Sequence, residues 1–245
     1  MPTRSLSLAI PLFLSFISGC GDPALPDQGS GLQFQKQPTS TTVRLWRVGP
    51  GTGIGSPDLY VESDGSPTDR IVLHYDPASS TWLPSNARAP TDGCLTCKAP
   101  GFAVAAGVNF AAAAEGHVSR FDASGGTVLE STGLSDTIYA LWGDPSGVLI
   151  AVGFYGGIAR RSPTGTWRVE RAPSPDNHPL NAVWGLSPTS VYAVGEVGTI
   201  LHYDGTAWTM EESGTQSGLA DLWGSATLGL FTAGDAGTIL HKQKL

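Results

Sequence analysis

The sequence predicts an all-β fold: a five-bladed β-propeller of four-stranded antiparallel blades. A unit close to 40 residues long recurs along the chain. Each copy breaks into four short strand-like pieces joined by turn formers. The last copy reaches Leu245 without its fourth piece, while residues 31–38 (GLQFQKQP) belong to no complete copy.

The repeat is anchored on an aromatic residue. Trp142, Trp184 and Trp223 are each followed eight residues later by an apolar residue (Ile150, Tyr192, Phe231), then by GFYG, GEVG or GDAG. Phe102 takes the same place before Phe110 and AAEG, and Trp46 opens a fifth copy with longer loops that reaches Tyr60 and then VLHYD. The four later anchors lie 40, 42 and 39 residues apart, the period of a repeat architecture.

Within 180–212 the pieces are NAVWG, SVYAVG, TILHYD and AWTME, here called strands a to d. Gly, Pro, Asp, Ser and Thr fill the joints. One such blade buries too little surface to be stable alone, so blades must stack in a ring. The 32 Gly, 18 Pro and 14% charged residues in 245 agree with short strands and turns rather than long helices.

A second aromatic anchor marks strand d: Trp82, Trp167 and Trp208, with Val128 in the second copy. All seven tryptophans thereby fall at two repeat positions, which points to packing between blades. A sugar-stacking platform is the alternative and requires an exposed ring. Phe34 lies 12 residues before Trp46, much as Trp208 lies 15 before Trp223. The segment around Phe34 is therefore expected to supply the missing outer strand of the last blade. Closing the ring this way removes exposed sheet edges.

The N-terminus reads as a targeting signal. Arg4 precedes an apolar run over 6–17, of signal-peptide length and short for a membrane span. Ile17, Ser18, Gly19 and Cys20 then resemble a bacterial lipobox, which implies cleavage before Cys20 and lipidation of its thiol. The alternative is an ordinary secretory signal. Gly21 stands where an Asp would favour inner-membrane retention, so an outer-membrane location is expected. The expected organisation is a signal peptide over 1–19, lipidated Cys20 and a Pro/Gly-rich tether over 20–31, and the propeller over 32–245. Loss of Arg4 with the signal takes the net charge from −7 to −8. There is no basic footprint for nucleic acid.

The phrase WGLSPTSVYAVGEVGTILHYDGTAW resembles repeats of surface lipoproteins of myxobacteria and their relatives. It is more distantly similar to BNR/Asp-box and photosystem-assembly propellers. The resemblance covers 32–245 and implies a propeller fold without fixing an activity. The turns HYDPASSTW, RSPTGTW and HYDGTAW depart from the Asp-box pattern in their Ser and spacing. That turn is structural even when intact.

Catalytic signals are few. His74, His202 and His241 share one repeat position with Arg120 and Arg160 on strand c. A repeated hydrogen-bonding position is expected there rather than an anion ring, because strand c stands away from the axis. Cys94 and Cys97 form a lone CxxC followed by Lys98, which fails the haem-attachment pattern and leaves a local disulfide as the expected state. GPGTGIG at 49–55 lacks the Lys and Ser/Thr of a phosphate loop, and ESDGSPTD at 62–69 lacks a full calcium-ligand spacing. No cofactor and no metal site is expected.

Departures from a repeat are where function concentrates. The b–c insertion at 63–70 and the d–a segment at 84–101 emerge on one face of the ring. That face offers Asp64, Asp69, Arg70, Arg88, Asp92 and Lys98, with Glu115, Glu196 and Asp235 in the b–c turns of other blades. The expected function is a lipid-anchored, monomeric envelope module that binds an unknown protein or glycan without catalysis. A glycan-processing hydrolase or lyase is the alternative, to be recognised by paired carboxylates on neighbouring inner strands. An assembly factor for a membrane complex follows from the family resemblance alone.

Overall fold

In the computed structural model the described residues are 33–37, 39, 41, 44–50, 59–63, 72–76, 79, 81–84, 101–113, 115–121, 126–174 and 177–243. Of residues 46, 47, 49, 50, 59–63, 72, 74, 83 and 84 the backbone alone is described. Their strands pair into five four-stranded antiparallel sheets, the blades of a propeller. The chain enters through a short strand, β1 (Gln35–Lys36). Blade one is β2 (Leu45–Pro50), β3 (Leu59–Ser63), β4 (Val72–Asp76) and β5 (Thr81–Pro84). Blade two is β6 (Phe102–Ala105), β7 (Val108–Ala112), β8 (His117–Phe121) and β9 (Thr127–Ser131). Blade three is β10 (Ile138–Gly143), β11 (Leu149–Gly153), β12 (Ile158–Arg161) and β13 (Trp167–Arg171). Blade four is β14 (Leu180–Ser187), β15 (Ser190–Gly195), β16 (Ile200–Tyr203) and β17 (Trp208–Glu211). Blade five is β18 (Leu219–Ser225), β19 (Gly229–Gly234) and β20 (Ile239–Lys242), completed on its outside by β1.

Ring closure follows the expectation drawn from the interrupted repeat. Gln35 pairs with His241 and Lys36 with Leu240, and the Gln37 amide donates to the Ile239 carbonyl at 2.8 Å. Continuing that register sets Phe34 beside Lys242, as Trp208 pairs with Tyr203 in blade four. Phe34 is 7% exposed and meets the Tyr192 ring edge-on at 6.5 Å. A phenyl ring thus fills the d-strand indole position and packs on the preceding blade.

Adjacent blades meet first through their inner strands, β6 with β10, β10 with β14, β14 with β18 and β18 with β2. The middle strands are the deepest: every residue of β11 and β19, and of β16 and β20, is buried. Each apolar cluster draws on two neighbouring blades, as where Ile150 and Ile158 of blade three meet Val183, Val191 and Tyr203 of blade four.

The contact that repeats most closely joins an indole to a glycine. A Cβ on Gly185 would stand 2.6 Å from Cζ2 of Trp142, and one on Gly224 would stand 3.0 Å from Cη2 of Trp184. Each Trp-Gly pair therefore works across a blade boundary: the Trp leans onto the next blade, whose Gly leaves room for it. Blade two differs. Its β6–β7 hairpin turns on two left-handed residues, Ala106 (φ 48) and Gly107 (φ 76), and is one residue shorter. Ala103 consequently stands opposite Phe110, and Phe102 is displaced onto an exposed face at 36% exposure. In its place the Val104 carbonyl comes 2.6 Å from a Cβ built on Gly143.

Two further anchors shift for similar reasons. In blade one Gly49 stands across from Tyr60, because a register shift between Leu45 and Arg47 puts Trp46 in a β-bulge. In blade two Thr127 pairs with Phe121 where the d-strand indole would be, and Val128 pairs with Arg120. Counting from one Trp to the next apolar run finds the blade but not its register when a hairpin shortens or a strand bulges.

Deletion of 32–37 is expected to abolish the cooperative melting transition, because β20 then loses its outer partner and Tyr192 its cover; an unchanged melting curve contradicts this closure. Gly185→Ala forces a methyl into the Trp142 ring and is expected to lower stability by about 1–3 kcal/mol in chemical denaturation. A neutral Gly185→Ala would show that the indole is free to move.

Candidate functional site

Cys20, Asp64, Asp69, Arg70, Arg88, Asp92, Cys94, Cys97 and Lys98 lie outside the described residues, as does the Trp46 side chain. Glu115, Glu196 and Asp235 lie within them, in the b–c turns of blades two, four and five. These turns share one geometry. Glu196–Gly198 and Asp235–Gly237 are single tight turns whose middle residues, Val197 and Ala236, are left-handed. Glu115 (φ 55) precedes Gly116 as Val197 precedes Gly198, so it occupies the middle position, one residue later than Glu196 and Asp235. Phe154 and Tyr155 fill the two positions in blade three.

β-Bulges place a second set of side chains near these turns. The inner strands of blades three, four and five shift register between Ile138 and Ala140, Leu180 and Ala182, and Leu219 and Asp221. The bulged residues are Tyr139, Asn181 and Ala220, and a bulge re-aims its side chain. Asn181 Nδ2 donates to Glu196 Oε1 at 2.9 Å and to the Leu219 carbonyl at 2.9 Å, tying blade four to blade five. Tyr139 meets Phe154 edge-on at 5.8 Å, and Phe154 meets Tyr155 at 4.8 Å. Phe154 and Tyr155 are 40% and 43% exposed.

The rim beside this aromatic step is acidic. Glu196 Oε2 and Asp235 Oδ2 lie 2.6 and 2.7 Å from the point where a Cβ on Gly218 would stand, so two carboxylates flank one glycine. Asp235 Oδ1 is paired with Arg44 Nε at 3.0 Å. Asp136 lies just before β10 in the d–a connection and is buried. In sequence Asp64 follows the last residue of β3 as Glu196 follows β15 and Asp235 follows β19. Asp221 on inner strand β18 accepts the Val48 amide at 3.0 Å, joining blade five to blade one.

Buried Asp144 serves its own a–b turn, accepting the Ser146 and Val148 amides, whereas a set of half-buried charges holds blades together. Three residues after each d-strand position comes Glu130, Glu170 or Glu211. Glu130 accepts from Arg120 of its own blade at 3.0 Å, and from Arg161 at 2.7 Å and Trp167 Nε1 at 2.9 Å of the next. Glu170 accepts from Arg160 at 2.9 Å and from Trp208 Nε1 of the next blade at 2.8 Å. Glu211 faces His202 at 3.2 Å and Lys242 of blade five at 2.8 Å. The shared basic position on strand c is thus a hydrogen-bonding position in these three blades. In blade five His241 instead stacks on Phe231 at 3.9 Å and bonds the Leu228 carbonyl at 2.7 Å. Gln37 takes the Glu position there, and Trp82 Nε1 of blade one is buried with no hydrogen-bond partner among the described residues. The sequence signal for these clasps is the Glu of WRVE, WTME and TVLE, a position the basic residues of strand c do not by themselves reveal.

Burial by itself would raise the Glu130 carboxyl, but donation from Arg161 and Trp167, with the Arg161 charge and Arg120, holds it below its ordinary value. Glu211 behaves likewise under His202 and Lys242. Burial lowers His241, against its bond to Leu228. On the opposite face the Thr206 hydroxyl, with the Ala207 and Thr206 amides, holds Asp204 down to about 2. That carboxylate caps the c–d turn of HYDGTAW, a structural task. Among the described residues no three His, Cys, Asp or Glu side chains gather as a metal ion would require.

No protein-family model matches the chain. No curated protein matches it in sequence. Solved structures do match in fold. YCF48 bound to D1 peptide superposes with a TM-score of 0.55 at 12% identity, covering 91% of this chain and 98% of that one. YCF48 from Cyanidioschyzon merolae gives 0.52 at 11% identity, covering 86% and 98%. Virginiamycin B lyase from Staphylococcus aureus gives 0.52 at 10% identity, covering 82% of this chain and 66% of that one. At these identities the likeness establishes the propeller fold.

Each depressed group binds fewer protons folded than unfolded, so its stabilising effect is complete above the ordinary value and fades as pH falls below it. The melting temperature is therefore expected to decline below pH 6.5 through His241, and further below 4.5 through Glu130 and Glu211. Glu130→Gln and Glu211→Gln should flatten the lower limb. Acid limbs identical to the parent in both variants would show that the clasps do not titrate with folding.

Proposed function

We propose that the protein is a non-catalytic binding module of the cell envelope, anchored through lipid on Cys20, that takes a protein segment on the face of its b–c and d–a turns. The observation that carries this reading is how the described polar residues divide. Glu130, Glu170 and Glu211, with their Arg, Lys and His partners, are spent on joining blades. The b–c face, by contrast, presents exposed Phe154 and Tyr155 in blade three and the acidic turns of Glu196 and Asp235 in the next two blades. An aromatic step beside carboxylates suits a segment carrying apolar and basic side chains. The strand order leads to the expectation that the b–c insertion at 63–70 and the d–a segment at 84–101 belong to this same face, although their residues 64–70 and 85–100 lie outside the described ones. The neighbour named as bound to D1 peptide supports a peptide as the class of occupant. The lipoprotein repeats resembled by WGLSPTSVYAVGEVGTILHYDGTAW support the envelope location.

One observation favours the glycan-processing alternative: Glu196 and Asp235 bring carboxylates of neighbouring blades to either side of Gly218. They stand on b–c turns rather than inner strands, and Asn181 and Arg44 already engage one oxygen of each. The binding reading is preferred for that reason.

Immobilised mature protein should capture a protein from extract of its own envelope, and scrambling both 63–70 and 84–101 should remove it. Capture unaffected by scrambling, or release of sugar products abolished by Glu196→Gln, would overturn the proposal.

A further inference from the structure

Asp136 is a buried carboxylate on this face with one oxygen left without a hydrogen-bond partner among the described residues. It is 5% exposed. Its Oδ2 accepts the Tyr155 amide at 2.7 Å. Its Oδ1 is buried with no hydrogen-bond partner among the described residues. Both oxygens lie 3.0 Å from where a Cβ on Gly153 would stand, so the carboxylate lies against the root of the b–c turn. The residues that follow Gly153 are Phe154 and Tyr155, the exposed rings of the aromatic step. A buried carboxylate without a countercharge is costly, and that cost is relieved when a cation arrives.

We infer that this corner of blade three is a subsite for a cationic side chain, lysine or arginine, of a bound protein segment. The inference rests on the binding reading above and specifies its chemistry. The cation meets Asp136 Oδ1, and its apolar stem or guanidinium plane lies against the rings of Tyr139, Phe154 and Tyr155. Aromatic faces attract such groups, and arginine stacks on them. Entry requires a side chain to move aside; the neighbouring rings are exposed, and exposed side chains change rotamer within nanoseconds. Glu196 on the next blade, bonded among the described residues only by the neutral Asn181 amide, adds negative potential along the rim and steers a cation inward. The other charged groups placed near the turn are committed: Arg171 bonds the Gly156 carbonyl and Asn177, and Arg44 pairs with Asp235.

Two measurements on the mature protein test the subsite. Methylguanidinium is titrated while the Tyr155 amide is followed by NMR, because that amide reports directly on Asp136. The expected result is a saturable shift in the parent that is lost in Asp136→Asn, with neutral methylurea giving none. In parallel, a peptide array is probed with both proteins. Peptides that bind should contain Lys or Arg, should weaken on replacement of that residue by citrulline or acetyl-lysine, and should bind Asp136→Asn about tenfold or more weakly. A melting curve confirms that Asp136→Asn is folded. Peptides that bind regardless of cation and of Asp136, with no saturable Tyr155 shift, overturn the subsite and leave the binding reading standing. Absence of any peptide binding together with failed envelope capture overturns both. A glycan that binds parent and Asp136→Asn alike and competes with peptide assigns the aromatic step to sugar stacking, and overturns the subsite as well.

Discussion

The fold depends on one contact between neighbouring blades: an indole from one inner strand lying on the bare Cα of a glycine in the next. Trp142 over Gly185 and Trp184 over Gly224 are the two clear instances. Both indoles are half-buried, and withdrawing even part of the roughly 150–250 Å² of an indole from water is worth a few kcal/mol gross at about 25 cal/mol/Å². The gain is available only if the facing residue has no side chain. This makes each sheet dependent on its neighbour and on nothing further away. Such a stack is stable when it closes on itself. Blade five cannot close without β1, so residues separated by more than two hundred positions must meet before the ring is complete, as Gln35 meets His241.

The buried carboxylates add direction to this packing. An indole on a glycine fixes how close two blades come but says little about register. Glu130 and Glu170 each receive an indole N–H from the following blade and a guanidinium from their own. Pairs of this kind contribute little net stability against an apolar replacement, yet breaking one leaves a buried charge. Their value lies in specifying which strand faces which. The seam between blades five and one has a different solution, with Gln37 at the Glu position and Tyr75, Trp82 and Phe231 in mutual ring contact. There the closure is made by aromatic surface, and Asp221 adds a hydrogen bond to the Val48 amide.

With polar groups committed to the seams, the faces are left to vary. The b–c turns of blades four and five keep one backbone with Val197 and Ala236 left-handed, while blade three closes its turn from the Gly156 amide to the Gly153 carbonyl and carries Phe154 and Tyr155 there. A constant scaffold carrying variable turns can acquire recognition without disturbing its core. The bulged residues Tyr139 and Asn181 extend that surface toward the inner strands, one joining the aromatic step and the other holding a carboxylate.

Residue spacing alone determined the period, the number of blades, the four-strand blade and the closure through Phe34, because each is a property of the chain's own repetition. Register was less legible. Spacing puts Phe102 and Trp46 at the anchor position, and a shortened hairpin and a bulge displace them, since both are local backbone choices that leave aromatic content unchanged. The candidate site was read in part. Glu196 and Asp235 were visible as turn acids, whereas Asp136, Tyr139, Phe154 and Tyr155 carried no motif. Their association is made by one turn, one bulge and one connection meeting at a corner of blade three. Tertiary structure alone decided it, because whether a carboxylate is buried with one oxygen unanswered depends on what the rest of the chain packs around it.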